Sequence, residues 1–287
     1  MKVLMHVNYC EGAGKLEELF SLARKYGYDG IELRWKYNFD DLTQDEYQNR
    51  VASMKSAWPE AEIVFGGCID FCRGEPEQVA VALDEYLAFL QWASKECGTK
   101  VMNFFTGSLK LADIPHWNFD RHGSGCATED DFRRAADGLR LVGDAAAAEN
   151  MMIALETHNL YLHDLAKPCR RLLGMTGHDA VGVNYDHGNI ILNKDGESIA
   201  DVFEIIADKI YYAHLKNMFI VGGSDGHYIC TRLADGHINT RSVMLGLKKY
   251  LRSGMIALEY PNPGDKHYAA FKDMEYIKYL KNELDIE

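Results

Sequence analysis

The sequence predicts an α/β protein, a single-domain (β/α)8 (TIM) barrel spanning residues 1–287, and three observations predict it. Met152-Ile153-Ala154-Leu155-Glu156 reappears as Met255-Ile256-Ala257-Leu258-Glu259. Each copy is too short for a typical helix and fits a strand buried on both faces, as parallel sheets require. Short apolar runs of this kind alternate with amphipathic segments eight times, with no Pro/Ser/Gly linker between units. Eight units in 287 residues favour a closed barrel, usually ~250 residues, over a doubly wound sheet. The first junction, His6 to Gly14, also lacks the G-x-G-x-x-G run of a dinucleotide fold.

Taken in order, Lys2 to Asn8 is an apolar first strand, and Gly14 to Tyr26 a helix with Leu16, Leu19, Phe20 and Ala23 at helical spacing. Tyr28 to Arg34 is strand two. Thr43 to Lys55 is a helix, with Thr43 and Glu46 spaced as a capping box. Glu62 to Gly67 is strand three, and Pro76 to Cys97 a long helix with Val79, Leu83, Leu87 and Leu90 on one side. Lys100 to Phe105 is strand four, followed by a long Gly/Pro/His/Trp loop, Thr106 to Ala127, of the length typical of lids and binding loops. Thr128 caps a helix through Ala148, and Met151 to Glu156 is strand five. Ala166 to Met175 is helical, with Pro168 tolerated in its first turn. Ala180 to Tyr185 is strand six, Ile199 to Ala207 a helix, and Ile210 to Leu215 strand seven. A second long Gly-rich loop, Phe219 to Ile238, precedes the helix Thr240 to Leu251. Met255 to Glu259 is strand eight, and Tyr268 to Leu284 the closing helix.

Composition bounds the function. Hydrophobic content of 47% and charged content of 26% are ordinary for a soluble globular chain. A formal charge of −12 argues against a nucleic-acid partner, which needs a basic face, but suits a small neutral or polar substrate. The seven cysteines (Cys10, Cys68, Cys72, Cys97, Cys126, Cys169 and Cys230) form no C-x-x-C pair. With no signal sequence at Met1 to His6, they predict reduced thiols and a cytoplasmic location. No apolar run approaches the ~20 residues of a membrane span.

In such a barrel the chemistry sits at the carboxyl ends of the strands. Glu156 stands there on strand five, Asp186 on strand six, His214 on strand seven and Glu259 on strand eight. Three carboxylates converging on one mouth repel unless a cation compensates them. With one imidazole they suit a hard or borderline divalent ion: manganese, magnesium, cobalt or zinc.

The runs Leu155-Glu156-Thr157-His158, Asn184-Tyr185-Asp186-His187-Gly188-Asn189, Ala213-His214-Leu215-Lys216-Asn217 and Ala257-Leu258-Glu259-Tyr260 together resemble the xylose-isomerase-like superfamily of sugar-phosphate isomerases and epimerases. Within it they look most like the ketose 3-epimerase and inosose isomerase/dehydratase group. Tyr28-Asp29-Gly30-Ile31-Glu32-Leu33 is similar to the family's second strand, and the likeness covers essentially the whole chain. The resemblance implies that Glu156, Asp186, His214 and Glu259 bind one divalent ion, manganese foremost. It also implies a small-molecule sugar substrate, with Glu156 and Glu259 as the acid/base pair, and leaves a homo-oligomer open. Ketose epimerases of the group commonly carry His three residues after the strand-six Asp and Arg soon after the strand-seven His. Here Asn189 and the pair Lys216-Asn217 stand instead, which speaks against a plain tagatose- or psicose-type substrate.

The expected reaction is epimerisation or isomerisation of a ketose or ketosugar through an enediolate, the ion stabilising its charge. His158, two residues beyond Glu156, is an alternative base, and with it the reaction becomes 4-epimerisation or β-elimination on a 3-oxo-glycoside by an epimerase, lyase or dehydratase. Lys216, Asn189 and His187 are candidate substrate-binding residues. Glu32, Trp35, His116, Trp117 and His122 are candidates for the pocket wall. Two rival classes are an endonuclease of the same barrel type, against which the charge speaks, and a non-catalytic sugar-binding or subunit-partner barrel.

Overall fold

Eight parallel strands close a barrel in the order β1 (Lys2–His6), β10 (Met255–Leu258), β7 (Ile210–Leu215), β6 (Val181–Asp186), β5 (Met152–Glu156), β4 (Val101–Phe105), β3 (Glu62–Cys68) and β2 (Gly30–Arg34). This computed structural model describes residues 1–9, 15–36, 42–221, 227–259 and 264–287. The expected helix start at Gly14, Cys10 and Tyr260 lie outside them. The outer layer is α1 (Leu16–Tyr26), α2 (Gln44–Ala57), α3 (Pro76–Cys97), α4 (Glu129–Ala148), α5 (Ala166–Thr176), the single turn α6 (His187–Ile190), α7 (Ile199–Ile206), α8 (Thr240–Tyr250) and α9 (Lys266–Glu283).

Strand periodicity sorts the side chains into two cores. Outward residues such as Met5, Leu33, Phe65, Phe104, Leu155 and Leu258 pack under the helices in the main core. Inward residues Leu4, Val64, Val101, Ala154, Tyr212 and Ala257 plug the barrel. His6, Glu32, Asn103, Glu156, Asn184, Asp186 and His214 are buried polar residues that share this inward alternation toward the carboxyl end. A register irregularity at Val183/Asn184 sets Asp186 opposite His214 across the β6–β7 pair, the kind of local shift that re-aims a side chain.

The helix starts follow their caps. Thr43 and Glu46 form a reciprocal capping box on α2, and Thr128 with Asp131 forms another on α4. On α3 the expected Leu90 is buried and Val79 and Leu83 pack partly against the core, but the buried stripe is turned toward Tyr86, Phe89, Ala93 and Cys97. Aromatic packing explains the rotation: Tyr86 meets Phe104 at 5.1 Å and Phe89 meets Phe65 at 5.0 Å. Gly67 leaves room for this, since a Cβ there would lie 2.5 Å from the Tyr86 ring.

The second Gly-rich loop is not all loop. Asn217–Ile220 (β8) and Tyr228–Thr231 (β9) pair antiparallel as a separate two-stranded ribbon at the barrel mouth. The first strand ends at His6 and continues as a 3₁₀ turn, Val7–Tyr9, while the last barrel strand stops at Leu258 and leaves Glu259 as the next residue. Among the described residues, no helix is long and apolar enough to cross a membrane.

Asp273 ties α9 to the rest of the molecule, accepting from the Tyr9 hydroxyl and the Leu233 amide, both at 2.9 Å. Burial pushes its carboxyl up to about 6 from an ordinary 3.8. A raised carboxyl binds its proton more tightly in the folded chain, so its contribution is full below the ordinary value and is lost as pH rises through the folded one. The stability advantage of wild type over Asp273→Asn in urea titrations is therefore expected to shrink between about pH 4 and 6. A constant difference across that window would contradict it.

Candidate metal centre and cavity

The interior polar layer is held together from below. Glu32 is fully buried at the floor of the mouth, where it accepts from Tyr212 Oη at 2.8 Å and Asn103 Nδ2 at 3.1 Å. Its Oε2 lies 2.7 Å from His214 Nε2. A carboxylate there keeps the proton of His214 on Nε2 and turns Nδ1 toward the mouth. That Nδ1 is buried without a hydrogen-bond partner. Glu156 Oε2 lies 3.3 Å from it and Glu259 Oε2 3.6 Å.

Glu156, Asp186, His214 and Glu259 each bring one potential ligand atom within 4.8 Å of the others. The four expected ligands thus come together. His6, Glu32 and His214 meet the same spacing, but there His214 Nε2 already bonds Glu32. Amides orient the carboxylates. Asn103 Nδ2 bonds Glu156 Oε2 at 2.9 Å as well as Glu32. Asn189 Nδ2 bonds Glu156 Oε1 at 3.1 Å and Asp186 Oδ2 at 2.9 Å. Asn8 Nδ2 donates to Glu259 Oε1 at 2.6 Å, while Asn8 Oδ1 accepts from Arg34 Nη2 at 3.0 Å. Lys216 Nζ stands 2.8 Å from Asp186 Oδ2 and 3.0 Å from Glu259 Oε2.

Electrostatics follows from this crowding. Burial alone would depress the His214 imidazole, but Glu32 and Glu156 outweigh it and hold the ring well above its ordinary value. Burial works against an ionised Glu156 too, and His214, His158 and Lys216 outweigh it. Asp186 goes the other way: burial raises it, with Glu259 and Glu156 adding to the effect against Lys216. The set wants positive charge; with an ion in place of the His214 Nδ1 proton it offers one nitrogen lone pair and three carboxylates, the donor chemistry of a hard or borderline divalent ion.

Above this layer opens a cavity of about 570 Å³. His158, Lys216, Asn189, Trp35 and His116 line it as expected, and Glu32 forms its floor. Other expected residues stand elsewhere. Trp117 is 45% exposed with its ring 5.3 Å from His227, and is not among the lining residues. His122 is buried in the long loop, its ring between the Leu111 amide at 3.2 Å and the Pro115 carbonyl at 3.1 Å. His187 lies behind Lys216 against a small void beside Leu215 and Val243, and burial lowers it to about 4.

The structure adds Asn8, Arg34, Asn103, Tyr161 and Tyr228 to the site. Asn103 had a readable signal, as an amide at an inward position of an apolar strand. Asn8 and Arg34 are polar residues at or just past the ends of β1 and β2, the same criterion that picked out Glu156 and His214.

A model of the xylose isomerase-like TIM barrel family matches residues 20–280. The inosose dehydratase of Lacticaseibacillus casei is 24% identical over 284 residues, covering 90% of this chain and 85% of the relative. Among solved structures, a xylose isomerase-like TIM barrel protein from Mycobacterium smegmatis in complex with magnesium aligns with a TM-score of 0.76 at 16% identity. It covers 99% of this chain and 97% of its own. An L-ribulose 3-epimerase aligns at 0.73 with 15% identity, over 99% and 95% of the two chains. With the family match spanning nearly all of the barrel, the chain belongs to the xylose isomerase-like TIM barrel family.

Proposed function

We propose that the chain is a divalent-metal-dependent enzyme that acts on a neutral keto-polyol or ketosugar by removing the proton on the carbon beside the carbonyl. The observation that carries this is the orphaned His214 Nδ1, faced by Glu156 and Glu259. Glu156, Asp186, His214 and Glu259 would hold the ion, manganese foremost. When bound, it supplies positive charge for the substrate oxygens on which negative charge collects as the proton leaves.

The better-placed base is His158. Its Nδ1 lies 2.8 Å from the Asn159 carbonyl, which can only accept, so the proton is on Nδ1 and Nε2 carries the lone pair. The residue lines the cavity and is only partly buried. Glu156 is pinned at both oxygens by Asn103 and Asn189, which suits a ligand more than a mobile base. With His158 as base and then as acid to the β-hydroxyl, the reaction is dehydration. Nε2 takes the α-proton, the electron pair becomes a C=C bond, and the β C–O bond breaks. The imidazolium returns the proton to the departing hydroxyl, so water leaves with no net redox change. The likeness to an inosose dehydratase supports this class. A second reading, epimerisation with Glu156 and Glu259 as the acid/base pair, draws support from their approach to one point from β5 and β10, with β6 and β7 between them.

The manganese-loaded protein is expected to convert inosose to a conjugated, ultraviolet-absorbing dehydration product. Carbon-bound deuterium gained in heavy water without loss of water would select epimerisation instead. His158→Ala is expected to lower turnover by roughly 10²–10⁴-fold with Mn²⁺ affinity unchanged; full turnover in that variant rejects His158 as base. Glu32→Gln, which touches His214 but not the ion, is expected to weaken Mn²⁺ binding by about 10–100-fold in calorimetry. An unaltered affinity in a folded variant would remove the orienting role.

A further inference from the structure

Lys216 lies just past the end of β7, two residues beyond His214, and is only 8% exposed. Buried ammonium groups are almost always paired, and this one stands against Asp186 Oδ2 and Glu259 Oε2. Those carboxylates are two of the four groups assigned above to the ion. Glu259 Oε2 is also the oxygen facing His214 Nδ1. An ammonium and a divalent ion would therefore draw on the same oxygens, and two cations that close repel strongly away from water.

The lysine is built in rather than incidental. A Cβ on Gly188 would lie 2.4 Å from Lys216 Cγ and 3.0 Å from Cε, so the stem passes α6 only because residue 188 has no side chain. The residue also borders the open cavity. A flexible four-carbon stem lets the head move there while its base stays seated.

We propose that Lys216 is an internal competitor of the divalent ion: its ammonium neutralises the Asp186–Glu259 pair and is displaced into the cavity when the ion binds. Lys216 has this role only if the four groups hold a divalent ion, as proposed above. Displacement would present the ammonium to a substrate oxygen, so ion loading and substrate binding would strengthen each other to the same degree.

The test uses the full chain stripped with a chelator and titrated with Mn²⁺ alone, its affinity read by calorimetry. Acetylation of Lys216 by an amine-selective reagent is followed by peptide mass spectrometry, with Lys100, whose side chain is 63% exposed, as the internal standard. The expected result is a rise of about tenfold in the Lys216 rate relative to Lys100, with the midpoint of the calorimetric curve. Lys216→Met is expected to bind Mn²⁺ about tenfold more tightly. A Lys216 rate that is unchanged or slower at verified Mn²⁺ saturation overturns the proposal and leaves the metal site standing, as does weaker Mn²⁺ binding in a folded Lys216→Met. Wild-type protein that binds no Mn²⁺ overturns both.

Discussion

The repulsion among buried carboxylates at one end of the barrel is the constraint on which the rest of the site depends. Glu32, Glu156, Asp186 and Glu259 lie within a few ångströms of one another through His214, Asn103, Asn189 and Lys216. Ionised carboxylates so far from water are costly unless paired. The chain meets this with amides that donate to two carboxylates at once, an imidazole held between Glu32 and Glu156, and a buried lysine. Each device also fixes geometry. The bond from His214 to Glu32 decides which nitrogen faces the mouth, and Asn189 sets the spacing of Glu156 and Asp186.

Much of this is legible in the sequence. The barrel could be read because parallel strands buried on both faces leave continuous apolar runs, and the repeated Met-Ile-Ala-Leu-Glu showed two of them ending on carboxylates. The four expected ligands follow from that, since strand ends in a barrel converge by closure. Pairwise bonds were harder to see. Asn189 reads in sequence as a departure from the family's usual His, yet here it bridges two ligands. Asn8 reaches Glu259 only because β1 pairs with β10, a closure between the two ends of the chain, and Arg34 on the neighbouring β2 bonds Asn8 in turn. The loop residues were least legible. Trp117 and His122 sit in an irregular segment with no periodicity to aim them, and the ribbon of β8 and β9 was hidden by the Gly-rich sequence between them.

Glu156 is held at both oxygens by Asn103 and Asn189, while His158 borders the cavity with its Nδ1 on the Asn159 carbonyl. The proposed elimination rests on that difference between the two residues. Lys216 and Arg34 at the cavity bring positive charge to set against the carboxylates.

His214 Nδ1, Glu156, Asp186 and Glu259 are proposed to make one metal centre. Crystals grown with Mn²⁺ and measured at an anomalous wavelength test it directly. The account predicts a single strong peak at about 2.0–2.3 Å from an oxygen of each carboxylate and from Nδ1, with Nε2 still on Glu32. A peak elsewhere, or an ion bound through Nε2, would contradict it.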